Sequence, residues 1–248
     1  MHSSRASTLT GMSSGNRGER MRVQCFTVGN FAVNTYLLTD ETTGASAIVD
    51  TGETDALVHH LKRLDPAPDI QMILLTHTHL DHAGALCFLQ EIWDVPTYMP
   101  AADRPLFETL PMQGTLFGMP HLNRPMGRID HEIVDGEKIA LGETTLGFLS
   151  TPGHTPGQGC YYDDHDIVVG DTLFMGSIGR TDFPLSNPAQ AVESLRRLMA
   201  LPGHLRVHSG HGPMTTLERE MQHNPFLGYL RLERGLPVGQ AIRWAPGT

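Results

Sequence analysis

The sequence predicts an α+β fold, with short strands in packed sheets and helices laid over them. Strand-length apolar stretches recur between clusters of Gly, Pro, Asp and Thr, the turn residues that bound strands. Some of them lead into stretches with helical apolar spacing, as Ile70-Gln71-Met72-Ile73-Leu74-Leu75 does ahead of Ala83 to Ile92. Composition agrees, since 40% apolar residues with 26 Gly and 17 Pro describe a loop-rich globular chain rather than a helical bundle. At 248 residues, length alone fits one large domain or two small ones.

Taken in order, residues 1–20 are rich in Ser, Gly and Arg and lack the apolar core of a secretory signal, so a disordered extension is expected there. Strands are expected at 22–28, 34–39 and 46–50 as an antiparallel opening, then a helix at 54–64 closed by Pro66 and Pro68. The continuous apolar run 70–75 suits a strand buried on both faces, and a helix follows at 83–92. A strand at 95–99 and a helix at 102–110 come next. Residues 111–127, with their Met, Gly and Pro, break both periodicities and fit a substrate-facing flap or a packing loop equally well. Strands at 131–134, 138–141, 144–149, 159–162 and 166–169 precede a helix at 188–200 that starts on proline. A last strand at 205–209 leads to a helix and tail within 215–248. The expected catalytic domain is 21–218, with 219–248 as a short tail.

A formal charge of −9 with 18 scattered Lys and Arg argues against a nucleic-acid footprint. No stretch approaches the roughly 20 apolar residues that span a bilayer. Cys25, Cys87 and Cys160 are odd in number and sit in apolar contexts, which suggests reduced, buried thiols in a cytoplasmic protein. His59 and His60 read as solvated residues of a surface helix, and His121 and His131 need no role.

The chain is organised around Thr76-His77-Thr78-His79-Leu80-Asp81-His82, three imidazoles and a carboxylate directly behind the buried strand. Imidazole suits zinc, iron and copper, carboxylate suits harder cations, and a strand-to-helix joint is a rigid place to fix both. His154 lies between Pro152-Gly153 and Thr155-Pro156-Gly157, Asp171 follows Gly170, and His211 stands in Gly210-His211-Gly212-Pro213. Each is a few residues beyond an expected strand, so all can meet at one edge of packed sheets. Five His and two Asp exceed what one tetrahedral ion needs and suffice for two ions sharing a carboxylate. Asp50, in Asp50-Thr51-Gly52, fits either a support for the metal loop or a plain helix N-cap.

The pattern His77-x-His79-x-Asp81-His82 after a buried strand resembles the signature of the metallo-β-lactamase-fold hydrolases, and the resemblance covers about residues 21–218. It implies a four-layer αβ/βα sandwich in a single domain and two divalent metal ions, zinc first, with iron or manganese as alternatives. His77, His79 and His154 would hold one ion, Asp81, His82 and His211 the other, and Asp171 would bridge them. A hydroxide held between the ions would attack a carbonyl, with Asp81 orienting it. Asp171 separates the chain from the β-lactamases of the subclass with Cys at this position, which weighs against antibiotic hydrolysis.

Within Gly170 to Pro184, the run Gly179-Arg180-Thr181-Asp182 resembles glyoxalase II (hydroxyacylglutathione hydrolase), in particular its short bacterial forms. Longer forms carry Gly-Lys there, and that lysine contacts glutathione, so Arg180 is expected to bind a substrate carboxylate, with an ion pair to Asp182 as the plainer alternative. Asn224-Pro225-Phe226 resembles the tail of the short forms, and only about 35 residues follow Pro213, where longer forms place a helical domain with further basic residues. The expected function is therefore a thioesterase cleaving S-2-hydroxyacylglutathione, with a small-molecule substrate as its partner and no nucleic acid or membrane. The oligomeric state stays open. The alternatives are a mononuclear iron persulfide dioxygenase and a lactonase or other ester hydrolase. The first shares the Gly-Arg-Thr-Asp-Phe segment but tends to have His-Asp-Tyr where this chain has Gly210-His211-Gly212-Pro213.

Overall fold

Alternation along the strands sorts the apolar residues into three separate cores. The computed structural model describes residues 21–233, so the expected extension at 1–20 and the end of the tail lie outside the described residues. The first half runs β1 (Met21–Val28), β2 (Val33–Asp40), β3 (Ala45–Val49), α1 (Ala56–Leu61), β4 (Asp69–Leu74), α2 (Leu80–Ala83), α3 (Leu86–Ile92), β5 (Thr97–Pro100), α4 (Arg104–Phe107), α5 (Leu110–Leu116) and β6 (His131–Ile133). Its six strands form one sheet in chain order, antiparallel from β1 to β3 and parallel from β3 to β6.

The second half runs β7 (Lys138–Leu141), β8 (Thr144–Ser150), β9 (Gly159–Tyr162), β10 (Asp166–Gly170), β11 (Leu173–Phe174), β12 (Ser177–Ile178), α6 (Pro188–Leu198), β13 (Arg206–Ser209), β14 (Thr215–Thr216), α7 (Leu217–His223) and α8 (Gly228–Glu233). Its sheet has the order β14-β13-β10-β9-β8-β7, with β10 and β13 parallel, while β11 and β12 form a small separate ribbon.

Successive strand residues point to opposite faces, so each central strand feeds two cores. On β2 to β4, Tyr36, Leu38, Ala47, Val49, Met72 and Leu74 face the other sheet and meet Leu146, Phe148, Tyr161 and Val168 there. Leu37, Ile48 and Ile73 point the other way, onto Leu57, Leu61, Leu80, Leu86 and Phe107 of the helices. Ile167, Val169 and Val207 do the same on the far side, against Leu195, Leu198 and Leu217. Helices, sheet, sheet, helices make the four-layer sandwich that the sequence implies. No helix among the described residues is long and apolar enough to cross a membrane.

Two tyrosines of the inter-sheet core tie the sheets together at their strand ends. Tyr161 of the second sheet donates its hydroxyl to the Leu75 carbonyl, at 2.9 Å, where β4 ends, and Tyr36 of the first sheet donates to Ser209 O, at 2.6 Å, where β13 ends. Both carbonyls immediately precede the loops that carry His77 and His211.

The structure departs from the expected elements in places. The helix expected at 102–110 is a single 3-10 turn followed by the short α4, and α5 occupies the segment expected to be irregular, because its Pro111 sits in the first turn, where a missing N–H costs nothing. The helix expected at 83–92 is α3 alone, preceded by the separate turn of α2. A Cβ on Gly84, just after α2, would strike the Leu80 carbonyl. All three cysteines are free, but only Cys160 is buried; Cys25 is exposed on the edge strand β1 and Cys87 is intermediate on helix α3, since apolar neighbours in sequence do not decide which way a side chain faces.

Tyr161→Phe leaves the Leu75 carbonyl buried without its donor and is expected to cost about 1–2 kcal/mol in urea unfolding. An unchanged midpoint would mean that this bond does not join the sheets.

Candidate metal centre

All seven candidate ligands sit just past strand ends, at one edge of the two sheets. His77 follows β4, His79 caps α2, and Asp81 and His82 lie on α2 itself. His154 stands in the loop between β8 and β9, Asp171 directly follows β10, and His211 follows β13. Three overlapping groups have ligand atoms within 4.8 Å of one another: His77, His79 and His154; His77, His82 and Asp171; Asp81, His82 and His211. His79 Nδ1 and His154 Nε2 are 2.9 Å apart, and His211 Nε2 lies 3.2 Å from Asp81 Oδ2. Asp171 stands between the two outer groups, with Oδ1 3.3 Å from His82 Nε2 and Oδ2 3.5 Å from His154 Nε2 and 3.7 Å from His211 Nε2.

Close approach is bought by glycine. A Cβ on Gly210 would collide with Asp171 Oδ1 and come within 2.7 Å of His82 Cε1, and one on Gly170, at φ 48°, would strike Thr76 Oγ1.

The tautomers follow from the partners. Asp50 accepts from Thr76 N and Thr76 Oγ1, each at 2.8 Å, and from His82 Nδ1 at 2.9 Å, so His82 carries its proton on Nδ1 and presents Nε2 inward. Because Thr76 donates its hydroxyl to Asp50, its oxygen is left to accept from His77 Nδ1 at 3.1 Å, which leaves His77 Nε2 bare. One carboxylate thereby sets two imidazoles, and the N-cap position of α1 belongs to Asp55. His154 Nδ1 donates to the Arg180 carbonyl at 2.7 Å, again turning Nε2 inward.

Among the described residues, His77 Nε2, His82 Nε2 and Asp171 Oδ1 are buried and have no hydrogen-bond partner. Buried polar atoms without partners are rare in proteins. Imidazole lone pairs and carboxylate oxygens converging on common points fit bound divalent cations. Burial and the surrounding imidazoles push His77 well below an ordinary histidine, and burial with His154 beside it takes His79 down to about 3, so both are free bases at neutral pH. At His82 burial works in the same sense, but Asp81, Asp171 and Asp50 outweigh it and raise the group well above its usual value. Burial likewise opposes the charged forms of Asp81 and Asp171, yet the neighbouring His82 dominates and both carboxyls are held below the usual range. The electrostatics of the cluster favour positive charge between the carboxylates.

The family model of the metallo-beta-lactamase superfamily matches residues 28–211. The chain belongs to that superfamily. The superfamily binds divalent metals, and the His and Asp groups that could hold them are present here. The hydroxyacylglutathione hydrolase GloC of Haemophilus influenzae is 35% identical over 213 residues, covering 84% of this chain and 98% of GloC. The crystal structure of BLEG-1 B3 metallo-beta-lactamase is similar at a TM-score of 0.75 and 32% identity, covering 83% of this chain and 99% of that one. The di-iron-bound form of TTHA1623 is similar at a TM-score of 0.72 and 35% identity, covering 82% and 99%.

Three residues that sequence reasoning missed hold the metallo-beta-lactamase loops in place. Asp103, fully buried ahead of α4, accepts from Thr78 N at 2.8 Å and from Gly157 N at 2.6 Å, joining the His77 loop to the His154 loop. Asn34 Nδ2 donates to Ser209 O and Gly212 O, at 3.0 and 2.7 Å, and its backbone N–H to Gly210 O, gripping the His211 loop from the first sheet. Gln113 of α5 donates to Thr78 O at 3.1 Å. Nothing in their local sequence marks them, since each acts on residues distant along the chain. Arg180 is placed otherwise than its motif suggests: its side chain makes a two-pronged pair with Asp182, 2.8 Å at each prong, and lies 4.3 Å over the Phe183 ring, while its carbonyl holds His154.

Asp50→Ala removes the acceptor that orients His82 directly and His77 through Thr76. Metal affinity, read by competition with a chromogenic chelator, is expected to fall about 10–100-fold; wild-type affinity would assign Asp50 to loop packing only.

Proposed function

We propose that the chain is a dinuclear metal-dependent hydrolase, a glyoxalase II-like thioesterase that cleaves S-2-hydroxyacylglutathione. The observation that carries this reading is the bare, buried trio of His77 Nε2, His82 Nε2 and Asp171 Oδ1, set where the two outer ligand groups meet. His77, His79 and His154 would hold one divalent cation, Asp81, His82 and His211 the other, and Asp171 would reach both, with zinc the first candidate. Two such ions supply Lewis acidity and bring the pKa of water near 7.

The side chains do the rest. Asp81, at the rim of the cluster, accepts a hydrogen bond from the attacking water and aims its lone pair at the thioester carbonyl. Asp50, Asp103 and Asn34 keep the ligand loops from relaxing as charge develops. The Arg180 guanidinium is already engaged with Asp182 and Phe183, so we assign the residue to holding His154 through its carbonyl rather than to binding a substrate carboxylate. GloC, named for the hydrolysis of hydroxyacylglutathione, supports the thioester. A β-lactam is the second carbonyl substrate worth testing, because of the likeness to BLEG-1. The free cysteines fit a cytoplasmic setting.

With S-lactoylglutathione as substrate, Asp171→Ala is expected to lower kcat/KM by about 10³-fold or more and to reduce bound metal. Full activity with both ions retained would remove the bridging role. Arg180→Ala is expected to move KM by less than about twofold, since the backbone carbonyl on His154 is kept; a rise of about tenfold or more would show the guanidinium binding substrate.

A further inference from the structure

A run of three aromatic rings leads away from the His79 and His154 side of the ligand cluster, while a single ring, Phe174, stands 6.0 Å from His211 on the other side. Phe183 packs edge-on against two of the candidate ligands, with ring centroids 5.5 Å from His79 and 5.9 Å from His154. Phe117 continues the run at 6.4 Å from Phe183, and Phe31 follows at 6.3 Å from Phe117. These three rings come from three separate segments, and each segment is anchored. Phe117 stands four residues after Gln113, on the same side of α5, and Gln113 is bonded to Thr78 between His77 and His79. Phe31 lies in a tight turn whose Asn30 N–H donates to the buried Glu53 carboxylate, and a Cβ on Gly29 would collide with that carboxylate. Phe183 carries the Arg180 guanidinium, fixed in turn by Asp182. The middle of the run is open: Phe117 is 42% exposed, and Met112 and Leu116 of the same helix are 64% and 72% exposed, while Phe31 beyond it is partly buried against the helix-side core. Solvent-facing apolar side chains gathered on a fixed frame beside reactive groups are what a ligand-binding wall looks like.

Resting on the thioesterase reading, we propose that Phe31, Phe117 and Phe183 form the acyl subsite, and that the substrates are glutathione thioesters of 2-hydroxyacids with large apolar side chains. A thioester of glutathione has two unlike ends. Its peptide end carries carboxylates, which lose hydration on an aromatic wall whose own cation, the Arg180 guanidinium over Phe183, is already paired with Asp182. Its acyl end carries no charge and gains from burial there. The wall adjoins the His79 and His154 side of the cluster, so an acyl side chain lying on it directs the sulfur towards His211.

The test compares S-lactoylglutathione with S-(2-hydroxyhexanoyl)glutathione on the metal-loaded protein, and in parallel measures binding of lactate and 2-hydroxyhexanoate by calorimetry. Three added methylenes on a half-open wall are expected to raise kcat/KM about tenfold and to tighten carboxylate binding by a similar factor. Phe117→Ala, at an exposed helix end where folding is not at stake, should reduce both ratios to about two or less, and Phe183→Leu should reduce them partly. Ratios near one in the wild type, or ratios that Phe117→Ala leaves intact, would overturn the subsite while lactoylglutathione turnover still upheld the hydrolase. If neither thioester were cleaved but 2-hydroxyhexanoate still bound about tenfold tighter than lactate in a Phe117-dependent way, the apolar subsite would stand and the thioesterase reading would fall.

Discussion

Desolvation without repayment is the constraint on which this molecule turns. His77 Nε2, His82 Nε2 and Asp171 Oδ1 are buried at the meeting point of two sheets without a hydrogen bond, the last two facing each other at 3.3 Å. Each such atom costs on the order of 1–3 kcal/mol, so three at one point consume a large share of an ordinary domain's stability. A fold keeps such an arrangement when something binds there, and lone pairs of imidazole and carboxylate facing one another repay their burial best with cations between them.

Much of the polar interior can be read as the means of holding that point together. Asp50 sets the tautomers of two ligands, Asp103 joins the loops of β4 and β8, and Asn34 with Tyr36 carries the end of β13 from the opposite sheet. Tyr161 returns the favour from the second sheet to the end of β4. The ligands therefore do not depend on either sheet alone, and sliding one sheet over the other would break hydrogen bonds beside His77 and His211 before it moved the histidines apart. The short helix α2, with only four residues, serves the same end by placing Asp81 and His82 on a turn whose position is fixed at His79.

The architecture was legible because strand alternation and turn chemistry are local signals: 159–162 and 138–141 could be placed to the residue, and the first three strands to within one or two. Candidate ligands could be named because His and Asp beside Gly and Pro at strand ends have few other reasons to recur. What stayed hidden was non-local. Asp103 looks like any helix-start aspartate until Thr78 and Gly157 are brought to it, and the Phe31, Phe117 and Phe183 run joins residues about 66 or more positions apart. The helix α5 was missed because glycine and proline mark irregular chain by default, although Pro111 is in the one part of a helix that accepts it. At Arg180 the sequence left two expectations open, a substrate carboxylate or Asp182, and the structure shows the side chain paired with Asp182.

The central claim is that seven side chains from four strand ends enclose a pair of cations. Titrating the metal-stripped protein with Zn²⁺ by calorimetry, with metal content checked by elemental analysis, measures this directly. Two ions bound per chain, with the count falling when His154 or His211 is replaced by Ala, is the predicted result. A single ion per chain, or a stoichiometry indifferent to both histidines, would contradict it.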